Sequence, residues 1–183
     1  TTTPDPVKGA TIGVTTRGTP AVVPLVGSHT LVGGITGTGK SNVLHSLIAP
    51  WGLADPEVFR LVLIDCKGGV ELADWAHRAH RFATTQSEAV GVLADVVTAM
   101  ESTYATLRSL GRRKLTPSRE TPATMVVVDE LAALLGGPDK RVNDRCASLL
   151  ADLANRGRAA GVSLVAATQR PSHQTVPTWL REA

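Results

Sequence analysis

Apolar residues along this chain fall into two kinds of run. The stretches Arg60 to Asp65 (RLVLID), Thr124 to Asp129 (TMVVVD) and Ser163 to Thr168 (SLVAAT) are nearly continuous rather than alternating, the pattern of strands covered on both faces. Leu31-Val32 and Arg81 to Thr84 are two shorter strand candidates. Between them the period lengthens. Val90, Leu93, Val97, Met100, Tyr104 and Leu107 recur three and four apart, which predicts a helix burying one stripe, and Thr85 to Glu88 reads as its capping box. A second helix is predicted from about Lys140 to Ala160, with Val142, Cys146, Leu149, Leu150 and Leu153 on one face and Gly161 closing it. A third carries Val43, Leu44, Leu47 and Ile48 and ends at Pro50. Upstream, Ala10 to Thr16 and Ala21 to Val26 read as strands joined by Arg17-Gly18-Thr19-Pro20, a hairpin. Residues 1–9, with Pro4, Pro6 and three threonines, read as a flexible segment. Strands alternating with helices imply an α/β fold: a mostly parallel central sheet flanked by helices, preceded by a short N-terminal hairpin, in one domain over 10–183.

Composition narrows the class without choosing a function. With 183 residues and 43% hydrophobic content the chain suits one domain with a sizeable core. No apolar run approaches the ~18 residues of a membrane span, and no secretory leader is visible. Cys66 and Cys146 lie far apart without metal-type spacing, and read as reduced, small apolar residues of a cytoplasmic protein. His77 and His80 share a helical spacing but have no third ligand, so they read as surface or packing residues. The net charge of +3 permits a nucleic-acid partner without demanding one. Aromatic residues at 3% argue against stacking on single strands as a main binding mode.

The chemistry begins at Gly34-Ile35-Thr36-Gly37-Thr38-Gly39-Lys40-Ser41, which fits G-x-x-x-x-G-K-S/T between a strand and a helix. Glycines let the backbone wrap a polyphosphate with its N–H groups inward, and the helix N-terminus adds partial positive charge at the same spot. Gly34, Thr36, Gly37, Thr38, Gly39, Lys40, Ser41 and Asn42 are the predicted ATP cradle. Lys40 reaches the outer phosphates and the Ser41 hydroxyl ligates Mg²⁺. Asp129 and Glu130 follow the MVVV run directly, at the C-terminal edge of a parallel sheet where ligands bind. Asp129 is assigned to Mg²⁺ and Glu130 to the proton of the attacking water.

Four blocks resemble the FtsK/SpoIIIE family: LVGGITGTGKSN from Leu31, LVLIDCKGGVEL from Leu61, VVVDELAAL from Val126 and RAAGVSLVAATQRPS from Arg158. The resemblance implies a RecA-like P-loop ATPase motor, hexameric in the full-length protein, that moves double-stranded DNA in chromosome partitioning or conjugative transfer. Relatives of secretion type handle protein instead, and a nucleotide-binding scaffold without motor activity is a further alternative. The resemblance also implies that Gln169 is a polar sensor of the γ-phosphate or attacking water. It makes Arg158 an arginine finger for a neighbouring subunit, with Arg156 as backup. Asp65 either supports the metal shell or is structural. The family core continues past the RPS block, so a domain ending at Ala183 reads as C-terminally incomplete, with any membrane anchoring left to regions outside this chain. For DNA the candidate contacts are Arg112, Arg113, Lys114 and Arg119, in the turn-rich connection Gly111 to Pro122.

Overall fold

The computed structural model describes residues 4–35 and 37–169. Thr36 of the predicted cradle and the end of the RPS block lie outside the described residues. The predicted hairpin forms from β1 (Ala10–Val14) and β2 (Pro20–Val23), antiparallel. Just before it, Pro6–Lys8 makes one 3-10 turn capped by the Asp5 carboxylate.

The main sheet holds β3 (His29–Gly33), β4 (Phe59–Ile64), β5 (Arg81–Ala83), β6 (Ala123–Val128) and β7 (Val162–Thr168), in the order β3-β7-β6-β4-β5. Every neighbouring pair is parallel. Side chains alternate between two cores, which is why the central strands needed continuous apolar runs. Val62, Ile64, Val126, Val128, Leu164 and Ala166 pack with α2 (Gln86–Ser109) and α4 (Lys140–Arg156). Leu61, Leu63, Met125, Val127, Val165 and Ala167 pack on the other face with α1 (Lys40–Gly52). Burial of the five Val, Leu, Ile or Met side chains per face, at about 1.5–3 kcal/mol each, is the main force holding helices to the sheet.

Several boundaries differ from the sequence expectation. Pro50 does not end α1. It lacks an N–H to donate, yet the helix runs on to Gly52 because Trp51 is buried in the core and Leu53 N–H closes on the Ala49 carbonyl. Helix α4 stops at Arg156, four residues before the predicted end, where the N–H of Gly157 caps the Leu153 carbonyl. Gly161, at φ +72°, serves instead in the turn into β7. On α2 the capping box forms as predicted, but the buried stripe is Ala89, Val92, Leu93, Val96, Met100 and Leu107. Val90, Val97 and Tyr104 flank it half-buried, since α2 packs against both the sheet and α4.

One half-buried base sits on β3. His29 Nδ1 accepts the Leu164 N–H at 3.1 Å. Burial, and then the positive charge of Arg158, hold this imidazole below its ordinary value of 6.5. A depressed histidine contributes stability that is complete above about 6.5, its unfolded value, and lost as pH falls through the lower folded value. Urea unfolding is therefore expected to show a loss of stability from pH 7 to 5.5 that shrinks in His29→Gln, whose amide oxygen can still accept the Leu164 N–H. An unchanged slope in the variant would assign the acid loss elsewhere.

Candidate functional site

The end of β3 runs straight into the cradle. The Gly34 N–H donates to the Thr168 carbonyl at 3.1 Å, and Thr38 closes the loop with N–H and hydroxyl bonds to the Ile35 carbonyl at 3.2 and 2.6 Å. Gly37 at φ +82° and Gly39 at φ +89° occupy the left-handed region, where a side chain is strained. Gly39 is the N-cap of α1 and supplies no side-chain oxygen, so the first N–H groups of the helix lack a capping side chain and face the cradle.

Opposite the cradle stands Asp129, at the end of β6. Lys40 Nζ donates to its Oδ1 at 2.5 Å and to its carbonyl at 3.0 Å, with both side chains under a tenth exposed. Burial pushes the Asp129 carboxyl up, the Lys40 bond pulls it down, and the nearby negative charges of Asp65 and Glu71 raise it further. The pair lies in an open cavity of about 580 Å³, whose walls also include Ser41, Asn42 and Gln169. Strand order explains the convergence: β7 lies between β3 and β6, and its end delivers Gln169 beside both.

Glu130 does not line this cavity. Its Oε1 accepts the Thr168 hydroxyl at 2.9 Å and the Ala132 N–H at 3.3 Å, and its Oε2 accepts the Gln169 N–H at 3.0 Å. The carboxylate thus joins the ends of β6 and β7 and caps α3 (Leu131–Leu135). Gln86, in the first turn of α2, fixes α3 in place by donating to the Ala133 and Leu134 carbonyls and to Asn143. The sequence carried no signal for this brace beyond a glutamine after a capping threonine.

The FtsK/SpoIIIE family model matches residues 4–123. The chain belongs to the FtsK/SpoIIIE family. DNA translocase FtsK of Tropheryma whipplei is 38% identical over 168 residues, covering 81% of this chain and 22% of that protein. DNA translocase SftA of Bacillus subtilis is 33% identical over 178 residues, covering 89% of this chain and 18% of that protein. The chain therefore spans about a fifth of the length of these relatives. Among solved structures, the pCW3 conjugation coupling protein TcpA, in its monomer form with ATPγS, superposes with a TM-score of 0.82 at 23% identity, over 96% of this chain and 52% of that one. The cytoplasmic domain of the type VII secretion ATPase EccC from Thermomonospora curvata gives 0.72 at 24% identity, over 96% and 23%. At these identities the structural matches establish the shared fold, that of P-loop ATPases.

Within this FtsK/SpoIIIE fold, the other predicted residues are spread widely. Arg158 is exposed before β7, at the sheet edge away from the cradle. Seven strand residues at roughly 3.3 Å each put about 20 Å between it and its own Lys40. Arg156 is committed to Asp152 and Glu101 by ion pairs, and its carbonyl accepts the Tyr104 hydroxyl. Arg112, Arg113 and Lys114 are exposed on the same far edge, while Arg119 pairs with Asp55 at 3.0 Å. Cys66 is half-buried, and desolvation pushes its thiol up to about 11, which removes nucleophilic character at neutral pH. Asp65 lines the cavity, and its carboxylate accepts three backbone N–H groups of the loop after β4. Three cavity residues absent from the predicted site, Lys67, Val70 and Glu71, belong to that loop. Among the described residues no helix is long and apolar enough to cross a membrane.

Proposed function

We propose that this chain is the ATP-hydrolysing motor segment of a double-stranded DNA translocase, in chromosome partitioning or conjugative transfer. The observation that carries this is Lys40 Nζ held on Asp129 beside a cradle of uncapped N–H groups, in a chain of the FtsK/SpoIIIE family. Its relatives named DNA translocase support the choice of polymer.

The roles follow from placement. Gly34 to Asn42 bind the phosphates through backbone N–H groups, and Lys40 trades Asp129 for the outer phosphates. Ser41 and Asp129 offer hard oxygen donors in a region of surplus negative charge, a set that fits Mg²⁺. The ion, when bound, neutralises charge on the phosphate oxygens. Glu130 takes the proton of the attacking water once its carboxylate turns from the Thr168 hydroxyl and the Gln169 N–H toward the cavity, and Gln169, joined to Glu130 through its backbone N–H, reports occupancy of the outer phosphate position. Arg158 cannot reach its own site, so in a hexameric ring it serves the neighbouring copy, where an arginine stabilises charge on the transferred phosphoryl. Membrane attachment at the cytoplasmic face, if the full protein has it, falls to other segments.

Exposed Arg112, Arg113 and Lys114 are assigned to DNA phosphates, with Arg119 available once Asp55 releases it. ATPase activity measured with and without double-stranded DNA over a salt series is expected to show stimulation that fades as salt rises. Apparent DNA affinity should fall with log salt at ~0.9 per phosphate engaged, and the slope should drop by two to three when Arg112, Arg113 and Lys114 are replaced together by alanine. ATP turnover indifferent to DNA at every salt would reject the DNA reading while leaving the ATPase reading standing.

A further inference from the structure

The loop between β4 and the 3-10 helix Ala73–Arg78 is built as a rigid platform facing the nucleotide cavity. Asp65, 1% exposed, receives the Lys67 N–H at 3.1 Å on Oδ1, and those of Glu71 and Leu72 at 3.0 and 3.4 Å on Oδ2. A carboxylate accepting three N–H groups is a strong clamp on a short loop. Gly69, at φ +70°, sits against Thr84, whose Cγ2 would lie 2.8 Å from any added Cβ, so the loop is pressed onto β5 as well. Leu72, fully buried, anchors its far end.

What this platform presents is a charge. Lys67 lines the cavity, and among the described residues it makes no ion pair or side-chain hydrogen bond. The cavity's other lysine, Lys40, is already engaged by Asp129. Strand order sets what Lys67 can meet. The cradle follows β3, Asp129 follows β6, and the Lys67 loop follows β4 on the far side of β6. A polyphosphate held with its inner phosphates at the start of α1 and its terminal phosphate toward Asp129 would bring that phosphate to the side of the cavity lined by this loop. We propose that Lys67 is a second phosphate-binding cation, aimed at the terminal phosphate, and that Asp65 is its positioning residue. The inference rests on the ATPase reading above. Its consequence is discrimination: Lys67 tightens binding of a triphosphate and leaves a diphosphate nearly untouched.

The test is titration of the full chain with ATPγS and with ADP. Losing one charge-assisted contact corresponds to a ~10- to 100-fold change in affinity. Lys67→Ala is expected to weaken ATPγS by at least ~10-fold while ADP stays within ~2-fold, and Lys67→Arg to restore most of the difference. Asp65→Asn, which leaves one acceptor oxygen and turns amide hydrogens against the N–H donors on the other side, should shift the ATPγS-to-ADP ratio in the same direction. If Asp65→Asn does not fold, Lys67→Ala and Lys67→Arg decide the matter alone. Equal affinities in wild type and Lys67→Ala, or equal losses for both nucleotides, overturn the proposal. A wild-type chain that binds ATPγS through Lys40 but ignores Lys67 removes this inference only, whereas one that binds neither nucleotide removes the ATPase reading too.

Discussion

Lys40→Ala is expected to reduce ATP turnover to background while changing the empty protein in a way that identifies the partner it lost. The nucleotide effect has a simple source. Lys40 is the cradle's own cation, and the remaining N–H groups of α1 supply only about half an elementary charge to a triphosphate. On the order of 10³-fold in kcat/KM, about 4 kcal/mol of transition-state stabilisation, is the expected loss. The second effect concerns stability. Removing one partner of a buried ion pair typically costs about 3–5 kcal/mol because the other charge is stranded. Here the cost should be smaller. The Asp129 carboxyl is already pushed up by burial and by Asp65 and Glu71, so without Lys40 it can relieve the strain by taking a proton. Lys40→Ala should therefore melt lower at pH 8 than at pH 6 relative to wild type, and adding Asp129→Asn should recover most of that difference. Turnover that survives Lys40→Ala would mean that phosphates are held elsewhere.

Glu130→Gln is expected to separate binding from chemistry. ATPγS affinity should stay within ~3-fold of wild type, because Glu130 does not line the empty cavity, whereas kcat should fall ~10²- to 10⁴-fold, because turnover needs the carboxylate to turn from Thr168 and Gln169 to the attacking water. The substitution also disturbs a brace. Its single carbonyl oxygen cannot accept from Thr168, Ala132 and Gln169 together, and about 1–3 kcal/mol of stability should be lost with the unmet bond. Thr168→Val isolates that structural part: it removes one donor to the carboxylate and keeps the acid. A kcat loss in Thr168→Val as large as in Glu130→Gln would assign Glu130 a positioning role and no proton transfer. Equal losses of binding and turnover in Glu130→Gln would likewise contradict the base assignment.

How much of this was readable in advance depends on the range of the forces involved. The cradle and both acids were legible because their spacing is local: the glycines, Lys40 and Ser41 act within one loop, and Asp129 and Glu130 follow an apolar run directly. The sheet was legible because two-sided burial requires unbroken runs such as MVVV. The brace from Glu130 to Thr168 and Gln169, and the lock from Gln86 to α3, span 38 to 48 residues, and only the strand order reveals them. Pro50 misled because a missing hydrogen bond near a helix end is outweighed by burial of Trp51 in the next position. Asp65 illustrates the limit in another way. An acid at a strand's C-terminal edge looks the same in sequence whether or not it folds its own loop, and its three N–H partners appear only in the structure.

The most direct test is a crystal structure of the chain with ATPγS and Mg²⁺. The nucleotide should lie in the Gly34 to Asn42 loop with Lys40 Nζ moved from Asp129 onto phosphate oxygens, and with Asp129 and Ser41 turned to the ion. A nucleotide bound anywhere else, with Lys40 still on the Asp129 carboxylate, would show that the two halves of this site do not form an ATPase centre.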